Sequence, residues 1–379
     1  MQTLPHGTWP SPIDAELTTR AGTRFSDAIR VDGDDVLWVE SRPAEGGRSV
    51  IVRSAAGGPP TDVTPQGWNV RTRVHEYGGG AFAVADGTVW FSSFEDQRVY
   101  RQVAGGDPEP ITPEPPVPAG LRYADFAVAG DRLLCVRETH HAEGEPTNEI
   151  VALAADGSAA PVVVATGRDF YAAPRPSPDG TRVAWLAWDH PNMPWDGTEL
   201  WVSAPDGSGA RRVMGDPGEA LVQPEWAPDG TLHVISDRTG WWSVHRAGET
   251  VPLLVADAEI GFPHWLFGAA RYAFLDDGTL VAATVEASGD RLLMRSPDGS
   301  VREVAHPDAP ILSPRFAVLG RELITLGSGP ARPAEVVAID LDSGAERVVR
   351  PADPLGVDDA FVSVPTVLTF ETPDGPAHA

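Results

Sequence analysis

The segment from Trp68 to Gly80 is unusually rich in charged and aromatic side chains for a connection between strands. Its candidate substrate-binding residues are Arg71, Arg73, His75, Glu76 and Tyr77. A carboxylate there could hold a substrate ammonium group, and an arginine could hold a carbonyl or carboxylate group. In the structural alternative, the arginines and the glutamate satisfy one another, and Gly78–Gly80 allow a close approach of the backbone.

Two further segments combine aromatic and polar residues. The stretch from Trp188 to Trp201 contains prolines and tryptophans around Asp and Asn residues, which predicts an ordered loop with a packing role. The stretch from Ser236 to Trp242 ends in two adjacent tryptophans, Trp241 and Trp242. Neighbours in a strand alternate faces, so one tryptophan should pack between sheets and the other should face outward or into a channel. Both are candidate substrate-binding residues.

No residues in the sequence match the requirements of a serine hydrolase site. Such a site needs a nucleophile on a sharp turn, usually written G-x-S-x-G, and that pentapeptide does not occur. Gly327-Ser328-Gly329 comes nearest, but its glycines are at the wrong distance and it is expected to be a loop between strands. We therefore predict no catalytic residue in this chain.

Metal and cofactor sites are not predicted either. No H-E-x-x-H occurs, and His140-His141 lies in a polar, Glu-rich stretch typical of a surface hairpin. The single cysteine, Cys135, lies in an apolar run and should be a buried core thiol. Gly78–Gly80 lead into a strand rather than into a helix whose N-terminus could hold phosphate.

The charge and the apolar pattern exclude two classes of partner. The formal net charge of −25 would repel a nucleic acid backbone, so we expect no nucleic acid partner. The first 20 residues lack the basic start and apolar stretch of a signal peptide, and no window approaches 18 consecutive apolar residues. A cytoplasmic protein without a membrane partner is expected.

The elements that would position these residues follow a repeat of about fifty residues. Asp-Gly-type turns between apolar strands recur with spacings of 43 to 54 residues. They lie at Asp32-Gly33, Asp86-Gly87, Gly130-Asp131, Asp179-Gly180, Asp229-Gly230 and Asp277-Gly278, with a weaker equivalent near Gly320. Gly 39 and Pro 37 make up about a fifth of the chain, which favours many short strands over long helices.

This period is typical of the four-stranded blades of a β-propeller. Counting units predicts an all-β, seven-bladed propeller, with eight blades as the alternative count. The blades should begin near residues 25, 78, 122, 171, 220, 262 and 312. The innermost strand of blade six is ambiguous, because either 263–268 or 271–275 could form it. No blade can bury both its faces alone, so the last blade must meet the first.

Several long motifs resemble the propeller of prolyl oligopeptidase family serine peptidases, in the acylaminoacyl-peptidase-like or dipeptidyl aminopeptidase-like branch. The matching segments are 69–80, 189–201, 236–242 and 261–265. The resemblance extends from Gly7 to the C-terminus. It implies a propeller that lies over an α/β-hydrolase domain and admits only short peptides or small amides to the active site. The propeller would gate and the hydrolase would cut.

The resemblance also implies a division of the chain. Residues 1–24 would lead into the propeller, 25–362 would form it, and 363–379 would be the hinge and first strand of a hydrolase domain that is missing here. The Ser, Asp and His of that domain have no counterpart in this chain. The expected partners are the hydrolase domain and a short peptide or aminoacyl substrate, and a homo-oligomer is a further option.

Two alternatives to a gating domain stay open at this level. A stand-alone propeller could act as a protein interaction scaffold through its rim. A propeller enzyme could instead have its own site in the channel, although no paired carboxylates or metal ligands recur at matching blade positions.

Overall fold

Small antiparallel sheets make up most of this computed structural model, which describes residues 5, 7–8, 11–19, 22–286, 289–305, 311–354, 356–373 and 375–378. Within these ranges the regular helical structure is limited to α1 (Ala15–Thr19) and the short 3-10 turns Pro43–Glu45, Ala55–Gly57 and Asp359–Phe361. Seven of the sheets follow one another along the chain as the blades of a β-propeller, which confirms the predicted fold class and blade count.

The first three blades each use consecutive strands. Blade 1 contains β1 (Arg24–Phe25), β2 (Arg30–Asp32), β3 (Asp35–Arg42), β4 (Arg48–Ser54) and β5 (Pro60–Asp62). Blade 2 contains β6 (Phe82–Ala85), β7 (Thr88–Ser92), β8 (Val99–Gln102) and β9 (Glu109–Pro110). Blade 3 contains β10 (Leu121–Ala129), β11 (Arg132–Thr139), β12 (Thr147–Ala154) and β13 (Val162–Ala165). In blade 1 the innermost strand is split, since β1 and β2 both pair with β3.

The next two blades differ at their outer edge. Blade 4 contains β14 (Phe170–Pro176), β15 (Val183–Trp188), β16 (Glu199–Ser203) and β17 (Arg211–Met214). Blade 5 contains only β18 (Leu221–Trp226), β19 (Leu232–Ser236) and β20 (Ser243–Arg246). A single bridge between His245 and Pro252 stands where the other blades have a fourth strand. Proline has no backbone N–H to donate, which works against a longer pairing there.

The last two blades complete the ring and resolve the ambiguity in blade six. Blade 6 contains β21 (Tyr272–Phe274), β22 (Leu280–Ala283), β23 (Leu292–Arg295) and β24 (Val301–Val304). Its innermost strand therefore begins about ten residues after the predicted start near 262, and residues 263–268 precede the blade. Blade 7 contains β25 (Ile311–Leu312), β26 (Ala317–Leu319), β27 (Glu322–Gly329), β28 (Arg332–Asp340) and β29 (Glu346–Arg350).

Hydrophobic packing between neighbouring blades forms the core. Seven buried clusters each join two consecutive blades, and the last of them joins blade 7 back to blade 1. In that closing cluster, Trp38 and Val50 pack with Leu326 and Val336. The ion pair between Arg350 Nε and Glu40 Oε1, at 2.8 Å, spans the same junction. The ring is therefore closed by side-chain packing between two complete sheets.

Polar side chains connect the innermost strands around the central channel. Strand pairing shifts register beside Asp125 and beside Gln223, which leaves these residues at bulges with positive φ. Asp125 Oδ2 accepts a hydrogen bond from Ala173 N at 2.6 Å, and Gln223 Oε1 accepts one from Arg271 N at 2.7 Å. Each bond joins one blade to the next, so the bulges tie the innermost strands together.

The residues after blade 7 form a separate hairpin of β30 (Thr369–Thr372) and β31 (Gly375–His378). Among the described residues these strands pair only with each other. The interpretation of 363–379 as the start of a hydrolase domain stays a prediction. None of the helices in the described ranges has the length and apolar character needed to cross a membrane.

Candidate functional site

A cavity of about 380 Å³ opens on one rim of the propeller, and we call it the rim cavity. Its wall includes Phe170, the first residue of β14, and Trp188, the last residue of β15. These residues lie at the strand ends opposite the Asp179-Gly180 turn. The connection 75–77 before blade 2 and the connection 264–269 before blade 6 also contribute to the wall. The cavity therefore depends on segments that are far apart in the sequence.

Aromatic rings line the upper part of the rim cavity. Phe170 and Trp188 stack with ring centroids 5.4 Å apart, and the His75 ring lies 5.2 Å from Phe170. Nearer the opening, Trp265 lies 5.2 Å from Tyr77 and 4.5 Å from Trp195. Tyr77 and Trp265 are 57% and 51% exposed, which is high for residues of this size. The opening thus presents an apolar, aromatic surface to solvent.

The backbone of 75–80 is held in an unusual conformation that turns these side chains to the cavity. His75 and Glu76 have φ values of 53° and 62°, and the three glycines that follow also have positive φ. A Cβ atom on Gly79 would lie 2.5 Å from the Phe267 carbonyl oxygen, so only glycine fits against that chain. His75 N donates to Glu138 Oε2 at 2.8 Å, which fixes the segment to blade 3.

A charged network lies on the blade 3 side of the opening. Arg122 Nη1 donates to Glu76 Oε1 at 2.7 Å and lies 3.2 Å from Glu138 Oε1. His140 Nε2 lies 2.6 Å from Glu138 Oε1. The hydrogen bond from Arg122 holds the pKa of Glu76 below its ordinary value, so Glu76 stays ionised at neutral pH. Its side chain is 75% exposed, which leaves it accessible to a ligand.

His75 is a buried titratable group in the aromatic wall. Burial lowers the pKa of His75 to about 4, because the charged imidazolium would lose its hydration there. Its Nε2 atom is buried and has no hydrogen-bond partner among the described residues. At neutral pH a neutral ring therefore offers one unused polar atom next to the cavity.

Four of the seven predicted binding residues lie outside the rim cavity. Arg71 and Arg73 lie on the ring of Phe94, with the guanidinium carbons 4.8 and 4.4 Å from its centroid. Trp242 packs against the cluster between blades 5 and 6, and Trp241 is 42% exposed. Neither tryptophan lines the cavity. The structure thus gathers His75, Glu76 and Tyr77 from the predicted set and separates the others.

Several cavity residues were not among the predicted binding residues. Trp188 and Trp195 were expected to pack, and Trp265 was noted only for its resemblance to a family motif. The wall also includes Glu138 and Arg175, whose positions follow from strand register in blades 3 and 4. The aromatic density of 188–201 is the sequence signal that could have identified part of this group.

Two solved structures are similar to the whole chain. A Mycobacterium tuberculosis puromycin-hydrolyzing peptidase is 36% identical with a TM-score of 0.91, over 100% of this chain and 61% of that one. A puromycin hydrolase gives 36% identity and a TM-score of 0.89 with the same coverage. Both similarities extend over the whole of this chain. Prolyl oligopeptidase B from Galerina marginata, 13% identical with a TM-score of 0.67 over 96% of this chain and 55% of that one, shares its fold.

The chain spans less than two thirds of the length of the similar puromycin hydrolases. No protein-family model and no curated protein matches the chain. The resemblance seen in the sequence motifs is therefore confirmed by the structural comparison rather than by sequence comparison.

Proposed function

We propose that this chain is the substrate-gating propeller of a serine peptidase whose α/β-hydrolase domain cleaves short peptides or aminoacyl amides. The observation that carries the proposal is the rim cavity, which is open at an exposed aromatic rim and lined by both carboxylates and aromatic rings. Pockets of a few hundred Å³ with apolar walls and a few polar groups are typical of small-ligand sites.

The charges at the opening favour a substrate with a free amino group. Glu76, Glu145 and Asp169 all line the cavity, and Glu145 has no partner among the described residues. An ammonium group that enters here would meet carboxylates beside aromatic faces, and both attract cations. Glu76 is our proposed anchor for that ammonium group, with His75 and Tyr77 beside it.

The expected partner is the hydrolase domain that would cover this rim. Large exposed aromatic residues around an opening are typical of a surface that binds another protein or a ligand. Tyr77 and Trp265 are such residues, and they contact each other directly. A hydrolase domain on this face would limit access to molecules small enough to pass. The cytoplasmic location and the homo-oligomer stay predictions.

The test is a kinetic comparison in the two-domain protein, with puromycin and an unblocked dipeptide amide as substrates. We expect Glu76→Gln to lower kcat/KM for these free-amine substrates about tenfold or more, since a charge-assisted hydrogen bond is worth about 1.5–3 kcal/mol. Glu303→Gln, on the exposed outer strand β24, is the matched control and should leave kcat/KM unchanged. The proposed anchor is wrong if the two variants behave alike.

The gating role needs a separate measurement. Cleavage by the hydrolase domain alone should extend to long or folded substrates that the two-domain protein rejects. If the hydrolase domain alone and the two-domain protein accept substrates of the same size, the propeller is not a gate. If the native protein recovers a stable partner other than a hydrolase and no cleavage occurs, the scaffold alternative is favoured.

A further inference from the structure

The lining of the rim cavity changes in character from its opening to its buried part, which we call the cavity interior. The carboxylates of Glu76, Glu145 and Asp169 belong to exposed residues, so they lie at the opening. The apolar residues that line the interior are all buried, and they are Leu186, Trp188, Leu221, Val222, Phe267 and Ala269. A ligand that enters therefore passes from a charged opening to apolar walls.

The charged side chains of the interior are paired with one another or with their neighbours. Arg175 lines the cavity and is held by Glu225, with Nε to Oε1 at 3.1 Å, and by Asp125, with Nη1 to Oδ1 at 3.4 Å. Glu138, which also lines the cavity, is paired with Arg122 at 3.2 Å. A charged ligand group would lose its hydration here without gaining an unpaired counter-charge from the described lining. The interior therefore favours a neutral side chain.

Two histidines of the lining, His75 and His264, are neutral at physiological pH. Burial lowers the pKa of His75 to about 4, because the imidazolium form would lose its hydration. Burial, followed by the charges of Arg315 and Arg175, lowers the pKa of His264 to about 3. Neither imidazole is therefore a cation that could hold an acidic side chain of a ligand.

Aromatic rings form part of the wall, and their arrangement suits a further ring. Phe170 and Trp188 are stacked, with an angle of 17° between their planes. The His75 ring meets both of them edge-on, at 90° to Phe170 and at 82° to Trp188. Aromatic side chains prefer stacked and edge-to-face contacts, and this group of rings presents both faces and edges.

The charged opening and the aromatic wall are adjacent. Glu76, the proposed ammonium anchor, directly follows His75, whose ring centroid lies 5.2 Å from that of Phe170. Asp169, a second carboxylate of the opening, directly precedes Phe170. A single amino acid residue carries its amino group and its side chain on the same Cα atom, so it can present one to each surface. The volume of about 380 Å³ lies in the range of small-ligand pockets.

We propose that the cavity interior binds the neutral aromatic side chain of the substrate residue whose free amino group the opening holds. Aminoacyl amides and short peptides that begin with an aromatic residue would then be the preferred substrate class. This inference rests on the proposed function, because it takes the ligand to be a substrate with a free amino group.

The test measures the binding of four amides to the 379-residue chain by calorimetry. They are phenylalaninamide and alaninamide, each with a free and with an acetylated amino group. The ratio of the two Kd values within a pair measures the preference for the aromatic side chain, and acetylation measures the effect of the ammonium group. We expect each phenylalanine compound to bind about tenfold or more tightly than its alanine counterpart, since its apolar ring leaves water.

Two substitutions test where the ring binds. Phe170→Leu keeps an apolar side chain but removes one ring of the wall, so it should lower the aromatic preference about threefold. Ala172→Leu, at a lining residue of β14, should fill part of the interior and weaken phenylalaninamide binding about tenfold while alaninamide binding stays unchanged. Phe94→Leu is the matched control, since Phe94 contacts Arg71 and Arg73 and does not line the cavity. Thermal unfolding checks that each variant is folded.

Equal binding of the phenylalanine and alanine compounds overturns the inference, and so does a failure of all four amides to bind. An aromatic preference that persists unchanged in the folded Phe170→Leu and Ala172→Leu variants also overturns it, because the ring would then lie outside the interior. Equal binding of free and acetylated amides would instead refute the ammonium anchor of the proposed function. The aromatic preference within each pair would still support the inference in that case.

Discussion

The Asp27 carboxylate links the first two blades at the channel, and its removal is a sharp test of the ring architecture. It is 6% exposed and accepts hydrogen bonds from three backbone N–H groups, two of them at the start of blade 2. Asp27→Ala leaves these donors without their partner. Gly80 and Ala81 are buried, so protein atoms offer no obvious replacement.

The expected cost follows from those three contacts. A buried donor left unsatisfied costs about 1–3 kcal/mol, so three donors set an upper bound of about 9 kcal/mol. Burial raises the pKa of Asp27, so the desolvation of its own charge offsets part of what these hydrogen bonds contribute. We therefore expect a loss of about 3 kcal/mol. With an unfolding entropy of about 2.1 cal/mol/K per residue, this lowers the Tm by about 4 °C.

The assay is thermal and urea unfolding of Asp27→Ala beside Asp32→Ala. Asp32 is the matched control, because its two oxygens accept hydrogen bonds from Asp86 N at 2.9 Å and Gly87 N at 2.7 Å, also between blades 1 and 2. Those bonds are exposed, so water replaces them and the loss should stay below about 1 kcal/mol. Equal losses in the two variants would refute the argument that burial at the channel makes the Asp27 contacts strong.

Three further predictions concern single ionisable groups. Burial lowers the pKa of His233 to about 4. The free energy of unfolding should therefore fall by on the order of 3 kcal/mol as the pH drops from about 6.5 to 4. His233→Leu should flatten this part of a pH–stability curve. The hydrogen bond from Arg42 lowers the pKa of Asp62. The wild type should therefore be more stable than Asp62→Asn at pH 6, by at most about 1 kcal/mol. This difference should disappear as the pH falls below 3.8. Burial raises the pKa of the Cys135 thiol, so a thiol reagent should label the protein only after unfolding, and rapid labelling of the folded chain would contradict the packing between blades 2 and 3.

The sequence was enough to predict the propeller because the signal is local and repeated. Asp-Gly turns suit the tight connection between adjacent strands wherever they occur, and their spacing of 43 to 54 residues sets the length of a blade. Cys135 was correctly predicted to be buried from its apolar neighbours alone. Blade six was harder, because 263–268 and 271–275 carry similar patterns and only tertiary packing assigns β21 to Tyr272–Phe274.

The candidate site could be predicted from the sequence only in part. Residue types identified His75, Glu76 and Tyr77, yet the same reasoning selected Arg71 and Arg73, which contact Phe94 instead of the cavity. Residues 71, 73, 75 and 77 would share one face of an extended segment. The positive φ values of His75 and Glu76 turn the chain between them instead, and the residue types alone do not reveal that turn.

The sequence by itself determined the repeating unit, the positions of the turns between strands and the absence of a catalytic serine motif. Only the tertiary structure decided which connections meet at the rim cavity. The physical reason is that blade formation depends on contacts within about fifty residues. The cavity instead depends on the rotation of blades around a closed ring, which brings 75–77 against 264–269 across almost two hundred residues of chain.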